Sequence, residues 1–131
     1  MKVFYSILLF ASILAVSCSN KEFKEVDPSS FNEQIADRTD IEKPKDLIAL
    51  YYGIDSAAKN RNISIAVKKV KKDVFKIRLI HDKLEDDSVR GMQIVLQARK
   101  SGNKWVVESI LENWKCWEGR GHTEWGIEMC Q

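Results

Sequence analysis

The sequence predicts an α+β domain in which one main helix packs across a four-stranded antiparallel meander. Three observations carry that expectation: one apolar pattern at helical spacing near residue 50, a switch to period-two alternation after residue 62, and short polar turns between the segments that follow. Short connections suit antiparallel neighbours, and a sheet with one apolar face needs a cover, which the helix supplies.

In the helix, expected over residues 45–60, Leu47, Leu50, Tyr51, Ile54 and Ala58 recur at three- and four-residue spacing. Pro44 and Asp46 stand at its start, where a missing N–H and a negative charge are favoured. Gly53 weakens this helix without forbidding it. After Asn60-Arg61-Asn62, the residues Ile63, Ile65 and Val67 alternate with Ser64, Ala66 and Lys68, which reads as a strand with one wet face.

Lys71-Lys72-Asp73 turns the chain into a second strand over residues 74–81, with Phe75, Ile77 and Leu79 on one face. A charged loop over residues 82–88 leads to a third strand, residues 89–99, where Met92, Ile94, Leu96 and Ala98 alternate with Gln93, Gln97 and Arg99. Lys100-Ser101-Gly102-Asn103 is a hairpin signal. The fourth strand, residues 104–115, puts Trp105, Val107, Ser109 and Leu111 on one face. Val106, Ile110 and Trp114 lie on the other, so both sides are expected to be covered.

Ahead of the domain, residues 19–43 are rich in Lys, Glu, Asp, Ser and Asn and read as a tether. One short helix is expected inside it, because Ser30 and Glu33 have capping-box spacing and Phe31 and Ile35 share a face able to dock on the domain. The helix-then-strands order resembles the cystatin-like or nuclear-transport-factor-2-like roll. Such rolls host isomerases, inhibitors and binding modules alike, so the resemblance implies an architecture and no activity.

Lys2 precedes an apolar run over residues 3–15 that closes on Ala15-Val16-Ser17-Cys18. A basic residue, a short apolar stretch and small residues make up a secretory signal. A spanning helix needs about 20 apolar residues, and this run is shorter and interrupted by Ser6 and Ser12. The segment resembles a bacterial lipoprotein signal, departing from it at Ala15, where leucine is usual. That resemblance implies a signal peptide over residues 1–17, lipidation of Cys18, and membrane attachment in the cell envelope. Ser19, where inner-membrane lipoproteins often carry aspartate, points to the outer membrane, with the domain facing the periplasm.

The expected organisation is then a lipidated N-terminus and tether over residues 18–43 and one small domain over residues 44–131. Three cysteines are an odd number for an exported chain. With lipid on Cys18, Cys116 and Cys130 are left to pair in an oxidising compartment and to staple a C-terminal loop over residues 116–130. Without residues 1–17 the chain carries 20 basic and 19 acidic side chains, a balance that gives no general attraction to nucleic acid. No cofactor is expected.

The chemistry-bearing residues cluster in the last sixteen positions. Cys116, Gly119-Arg120-Gly121-His122, Trp125 and Cys130 resemble the ending of small exported bacterial proteins of uncharacterised function, with an extension to Asp86-Asp87-Ser88-Val89. The resemblance implies the disulfide and the compartment and assigns no chemistry. Read from the residues alone, a glycine-rich tail is pinned to the sheet by the disulfide and by Trp117 and Trp125. In the functional reading, Gly119 and Gly121 turn the backbone sharply and present Arg120, whose guanidinium suits carboxylates and phosphates. Trp117 and Trp125 add stacking surface, and the candidate ligand-binding set is Trp117, Arg120, His122 and Trp125.

Catalytic readings are weaker. A metal centre from Cys116, His122, Cys130 and a glutamate matches no common zinc spacing, and a Cys116–His122 nucleophile needs a reduced thiol. A roll-type pocket enzyme would use His81 with Asp82 or Glu112. Lys68-Lys69 and Lys71-Lys72 form a basic cluster that discourages edge-to-edge pairing and is also able to touch anionic lipid. Glu85-Asp86-Asp87 lacks the alternating ligands of a calcium loop and reads as solvated. The expected function is a lipid-anchored, non-catalytic binding or inhibitory module whose partner is another envelope protein or a glycan. The alternatives are a small pocket enzyme and a structural subunit of an envelope complex.

Overall fold

The computed structural model describes residues 22–56 and 59–131. Its elements are β1 (Lys24–Val26), α1 (Ser29–Ile35), α2 (Pro44–Tyr52), β2 (Ile63–Lys71), β3 (Val74–His81), β4 (Val89–Ser101) and β5 (Lys104–Cys116). The strands form one antiparallel sheet in the order β1-β5-β4-β3-β2. The α+β class and the β2 to β5 meander are as the sequence predicts. The strand count is not: there are five strands rather than four, and beside the main helix stands α1, the short helix expected around Phe31 and Ile35.

β1 and α1 both lie in the segment read as a tether, and β1 is the element not expected there. Lys24, Glu25 and Val26 pair with Glu112, Leu111 and Ile110. Phe31, Ile35 and Ile41 are buried in the core, and Phe31 meets Tyr51 edge-on with ring centroids 5.1 Å apart. The Asn32 side chain exchanges two hydrogen bonds with the Val107 backbone, at 2.9 and 2.8 Å. The Trp105 indole N–H donates to the Ile41 carbonyl at 2.8 Å. The folded unit therefore begins before Pro44. The reason is coverage: α2 has nine residues, a length of about 13 Å, whereas five strands span roughly 19 Å. α2 lies over β2 and β3, and α1 lies over β5.

The expected 45–60 helix is shorter at its far end. It stops at Tyr52 because Gly53 takes the left-handed conformation (φ 80°) and the Ile54 N–H reaches back to the Ala49 carbonyl at 2.9 Å, a glycine stop that satisfies an orphan carbonyl. At the other end, the Lys43 N–H donates to the Asp46 carboxylate at 3.1 Å. In α1 the expected Ser30–Glu33 capping box is replaced by Asp27, whose carboxylate accepts from the Ser29 N–H and hydroxyl.

One face assignment in β5 is corrected by a bulge. Ala98 pairs with Val107 but Gln97 pairs with Ser109, leaving Glu108 as the extra residue. The strand's alternation reverses there, so Ile110 joins Trp105 and Val107 in the core while Ser109 and Leu111 turn to the other face. Glu108 is fixed at the bulge by Arg99 (2.7 Å) and by the Gln97 amide (2.9 Å). Ile77, Leu79, Ile94, Leu96 and Ala98 are buried beneath the helices as expected.

Candidate functional site

The signal segment and Cys18 lie outside the described residues, so the site that can be built is the C-terminal loop. β5 ends at Cys116, which is bonded to Cys130 (S–S 2.02 Å, Cα–Cα 5.5 Å). The expected disulfide is present. Gly121, at φ 139°, lies against it: a Cβ there would stand 2.9 Å from the Cys116 sulfur. The Trp117 carbonyl accepts from the Arg120 N–H at 2.9 Å, closing a turn whose third residue, Gly119, has φ 81°, as a type II turn requires. Arg120 stands exposed between the two glycines.

His122 faces inward rather than toward a ligand. Its Nδ1 donates to the Glu124 carbonyl at 2.8 Å and its Nε2 to the Glu128 carbonyl at 2.9 Å. Carbonyl oxygens only accept, so this geometry is complete only when both ring nitrogens carry protons. The Glu124 and then the Glu128 carbonyl raise the imidazole above its ordinary 6.5, helped by both carboxylates and opposed by burial. The ring also packs on Gly126, where an added Cβ would sit 3.2 Å from it.

The two tryptophans hold the loop to the sheet. The Trp117 indole N–H donates to the Asp86 carbonyl at 2.7 Å and its backbone N–H to the Ser88 carbonyl at 2.9 Å. The 86–89 stretch and the terminal motif are thus in contact. Trp125 lies against Gly91 and under the Lys115 ammonium, 4.9 Å from the ring centroid. The Arg90 guanidinium is 5.6 Å from the Trp117 centroid. Both cations reach Asp82, at 3.2 Å for Arg90 and 3.5 Å for Lys115. Burial pushes the Asp82 carboxyl up, but the Lys83 N–H, Arg90 and Lys115 outweigh it and hold it below the usual range. A row Trp117, Arg90, Asp82, Lys115, Trp125 therefore clamps the base of the loop. Trp114 completes it by pairing with Gly126 and donating its indole N–H to the Glu128 carbonyl at 2.8 Å.

Of the four candidate ligand residues, then, Arg120 is presented outward, while Trp117, His122 and Trp125 are engaged in holding the loop. Asp82, Arg90, Lys115 and Trp114 were not assigned this clamping role from sequence. Their signal was strand register, which two bulges in the β4–β5 pair displace. The ligand atoms of Cys116, His122 and Cys130 lie within 4.8 Å of one another, but the sulfurs are bonded to each other and both imidazole nitrogens to carbonyls. The pocket-enzyme residues are each engaged by other partners. His81 Nδ1 is 2.8 Å from the Tyr52 hydroxyl, and Glu112 accepts from the Tyr51 hydroxyl at 2.8 Å. Burial, then Glu112, push the Tyr51 hydroxyl well above its ordinary value.

The His122 ring held between two carbonyls predicts a pH dependence. A folded pKa raised above the unfolded one adds stability that is complete below the unfolded value, near 6.5, and is lost as pH climbs through the folded value. His122→Gln should therefore cost most in urea unfolding at pH below 6.5, with the gap narrowing under alkaline conditions. A gap indifferent to pH would mean that the ring is neutral in its carbonyl clamp.

No protein-family model matches the sequence, and comparison with curated proteins and with solved structures returns no significant match.

Proposed function

We propose that this chain is a lipid-anchored protein of the bacterial cell envelope whose C-terminal platform binds a partner without catalysis. The anchor is the lipid on Cys18, the membrane the outer one, and the domain faces the periplasm, on the strength of the signal-like residues 2–18. Among the described residues no helix is long and apolar enough to cross a membrane.

The observation that carries the binding reading is Arg120. It is exposed on a loop fixed by a disulfide, its Nη1 makes only a long hydrogen bond of 3.5 Å to the Gln131 main-chain oxygen, and among the described residues no Asp or Glu side chain lies within 4.0 Å of it. A preorganised guanidinium loses little freedom on meeting a carboxylate or phosphate, so the partner is a protein or glycan that bears one. The helix-on-meander order supports reading the domain as a cystatin-like or nuclear-transport-factor-2-like roll. A non-catalytic role is favoured because His81 and Glu112 are each occupied by a tyrosine.

The test compares wild type, Cys18→Ser and Arg120→Ala in intact envelopes, reading membrane fractionation, protein crosslinking and sedimentation with isolated cell-wall sacculi. Cys18→Ser should move the chain to the soluble fraction. Arg120→Ala should leave unfolding within about 0.5 kcal/mol of wild type while abolishing the crosslinked or sacculus-bound species. Retained binding in Arg120→Ala would remove the loop from the interface. Trp117 and Trp125 are unsuitable for the same comparison, because both hold the loop in place.

A further inference from the structure

β3 is an interior strand, yet its outward face carries Lys76 and Arg78. The register sets Lys76 between Lys68 of β2 and Gln97 of β4, and Arg78 between Ala66 and Val95. All three cations are exposed, and with Ala66 and Val67 they line an open groove of about 300 Å³. Among the described residues no carboxylate lies within 4.0 Å of any of them. Glu108, on β5, is already held by Arg99 and Gln97. The turn adds Lys69, Lys71 and Lys72, so residues 63–81 hold six basic side chains against one acidic, Asp73, in a chain whose total is only +2. Val70, 51% exposed, sits in the bulge among these lysines.

Like charges directly opposite one another weaken a sheet. Lysines on β2, the last strand, are explained as edge protection. That explanation fails for Lys76 and Arg78, because an interior strand has no free edge to protect. Three uncompensated cations on adjacent strands about 4.8 Å apart form a flat patch, suited to a flat anionic surface rather than to one buried counter-ion. A bilayer and a nucleic acid both offer an anionic surface, and exposed Val70 selects the bilayer: an apolar side chain can enter its boundary and has no role on a phosphate backbone. We propose that the outward face of the β2–β3 hairpin docks on an anionic phospholipid surface. The inference stands whether or not Cys18 carries lipid.

The experiment uses the chain from residue 18 onward with Cys18→Ser, so that neither the apolar run over residues 3–15 nor a lipid is present, sedimented with vesicles of phosphatidylcholine alone or mixed with phosphatidylglycerol. Binding is expected with the mixed vesicles only and should fall as salt screens the charges. Lys68→Gln, Lys76→Gln and Arg78→Gln together should lower partitioning about a hundredfold, roughly fivefold for each cation near an anionic surface. Their melting should be unchanged or raised, since a like-charge pair is removed. Lys24→Gln, Lys45→Gln and Lys104→Gln, which remove the same charge elsewhere, should leave binding in place. Equal binding to neutral vesicles, equal loss in the control variant, or displacement of the chain from vesicles by charge-equivalent duplex DNA would each overturn the proposal.

Discussion

Replacing Cys116 and Cys130 together by alanine should lower the unfolding free energy by about 3 kcal/mol, the value expected for releasing a closed loop of this size in the unfolded chain. For a domain of about 100 residues that corresponds to a fall in melting temperature on the order of 10 °C or more. The loss should exceed the chain-entropy value, because Cys116 is 1% exposed and its sulfur packs against Gly121, so the substitution leaves a small void. Hydrogen exchange localises the effect. The Cys116 N–H, which donates to the His122 carbonyl at 2.8 Å, and the Arg120 N–H should lose protection first. Adding reductant to the wild type, which breaks the bond but keeps both sulfurs, should reproduce the chain-entropy part of the shift. A change below about 1 kcal/mol would transfer the holding role to the Asp82 clamp and the tryptophans. Gly121→Ala probes the same junction without breaking it: the added methyl meets the disulfide sulfur, at a backbone conformation that side chains rarely adopt.

The parts of this fold that were legible in sequence are those whose signal is repetitive. β3 reads true because Phe75, Ile77 and Leu79 alternate with Lys76 and Arg78 through its middle. α2 is announced by Pro44 and Asp46 and by its apolar face, although its stop at Gly53 depends on a backbone conformation that glycine permits but does not compel. β1 was illegible, since three residues with two charges among them have no period to detect, and its partner lies some 85 positions away. The register change in β5 was equally hidden. It follows from a bulge at Glu108 that Arg99 and Gln97 stabilise from the neighbouring strand, a tertiary cause acting on local alternation.

At the site, residue type was legible and direction was not. Gly119 and Gly121 flanking Arg120 foretold an exposed cationic turn. Nothing in the order Gly121-His122-Thr123 tells that the imidazole turns inward to two carbonyls, because those carbonyls belong to Glu124 and Glu128, whose placement depends on the path of the whole loop between Cys116 and Cys130. Asp82 shows the same limit. Beside His81 in sequence it resembles half of an acid-base pair, yet it is drawn to Arg90 on β4 and Lys115 on β5 while His81 meets Tyr52 instead.

Phe31→Ala should destabilise the domain by about 3–5 kcal/mol, the range for removing a buried aromatic ring, although Phe31 precedes the domain start expected from sequence. The side chain is 5% exposed and lies within the core cluster with Ile35, Leu47, Ile110 and Trp105. Its edge-on contact with Tyr51 adds a directional term of about 0.5–1.5 kcal/mol beyond buried area. Tyr51 in turn donates to Glu112 on β5, so loss of the ring frees the partner that positions that hydrogen bond. Denaturant unfolding of Phe31→Ala and Phe31→Leu decides the matter, with leucine expected to recover most of the loss because it refills the volume. A cost below about 1 kcal/mol for alanine would mean that residues 24–43 undock readily and that the stable unit ends at β5. The distinction governs how far the loop can stand from its proposed membrane. A tether over residues 18–43 would reach roughly 90 Å when extended, whereas a chain docked from β1 onward leaves five residues and at most about 20 Å between Cys18 and the sheet. With β1 docked, the outward sheet face is held within reach of lipid headgroups, where Lys68, Lys76 and Arg78 could engage them.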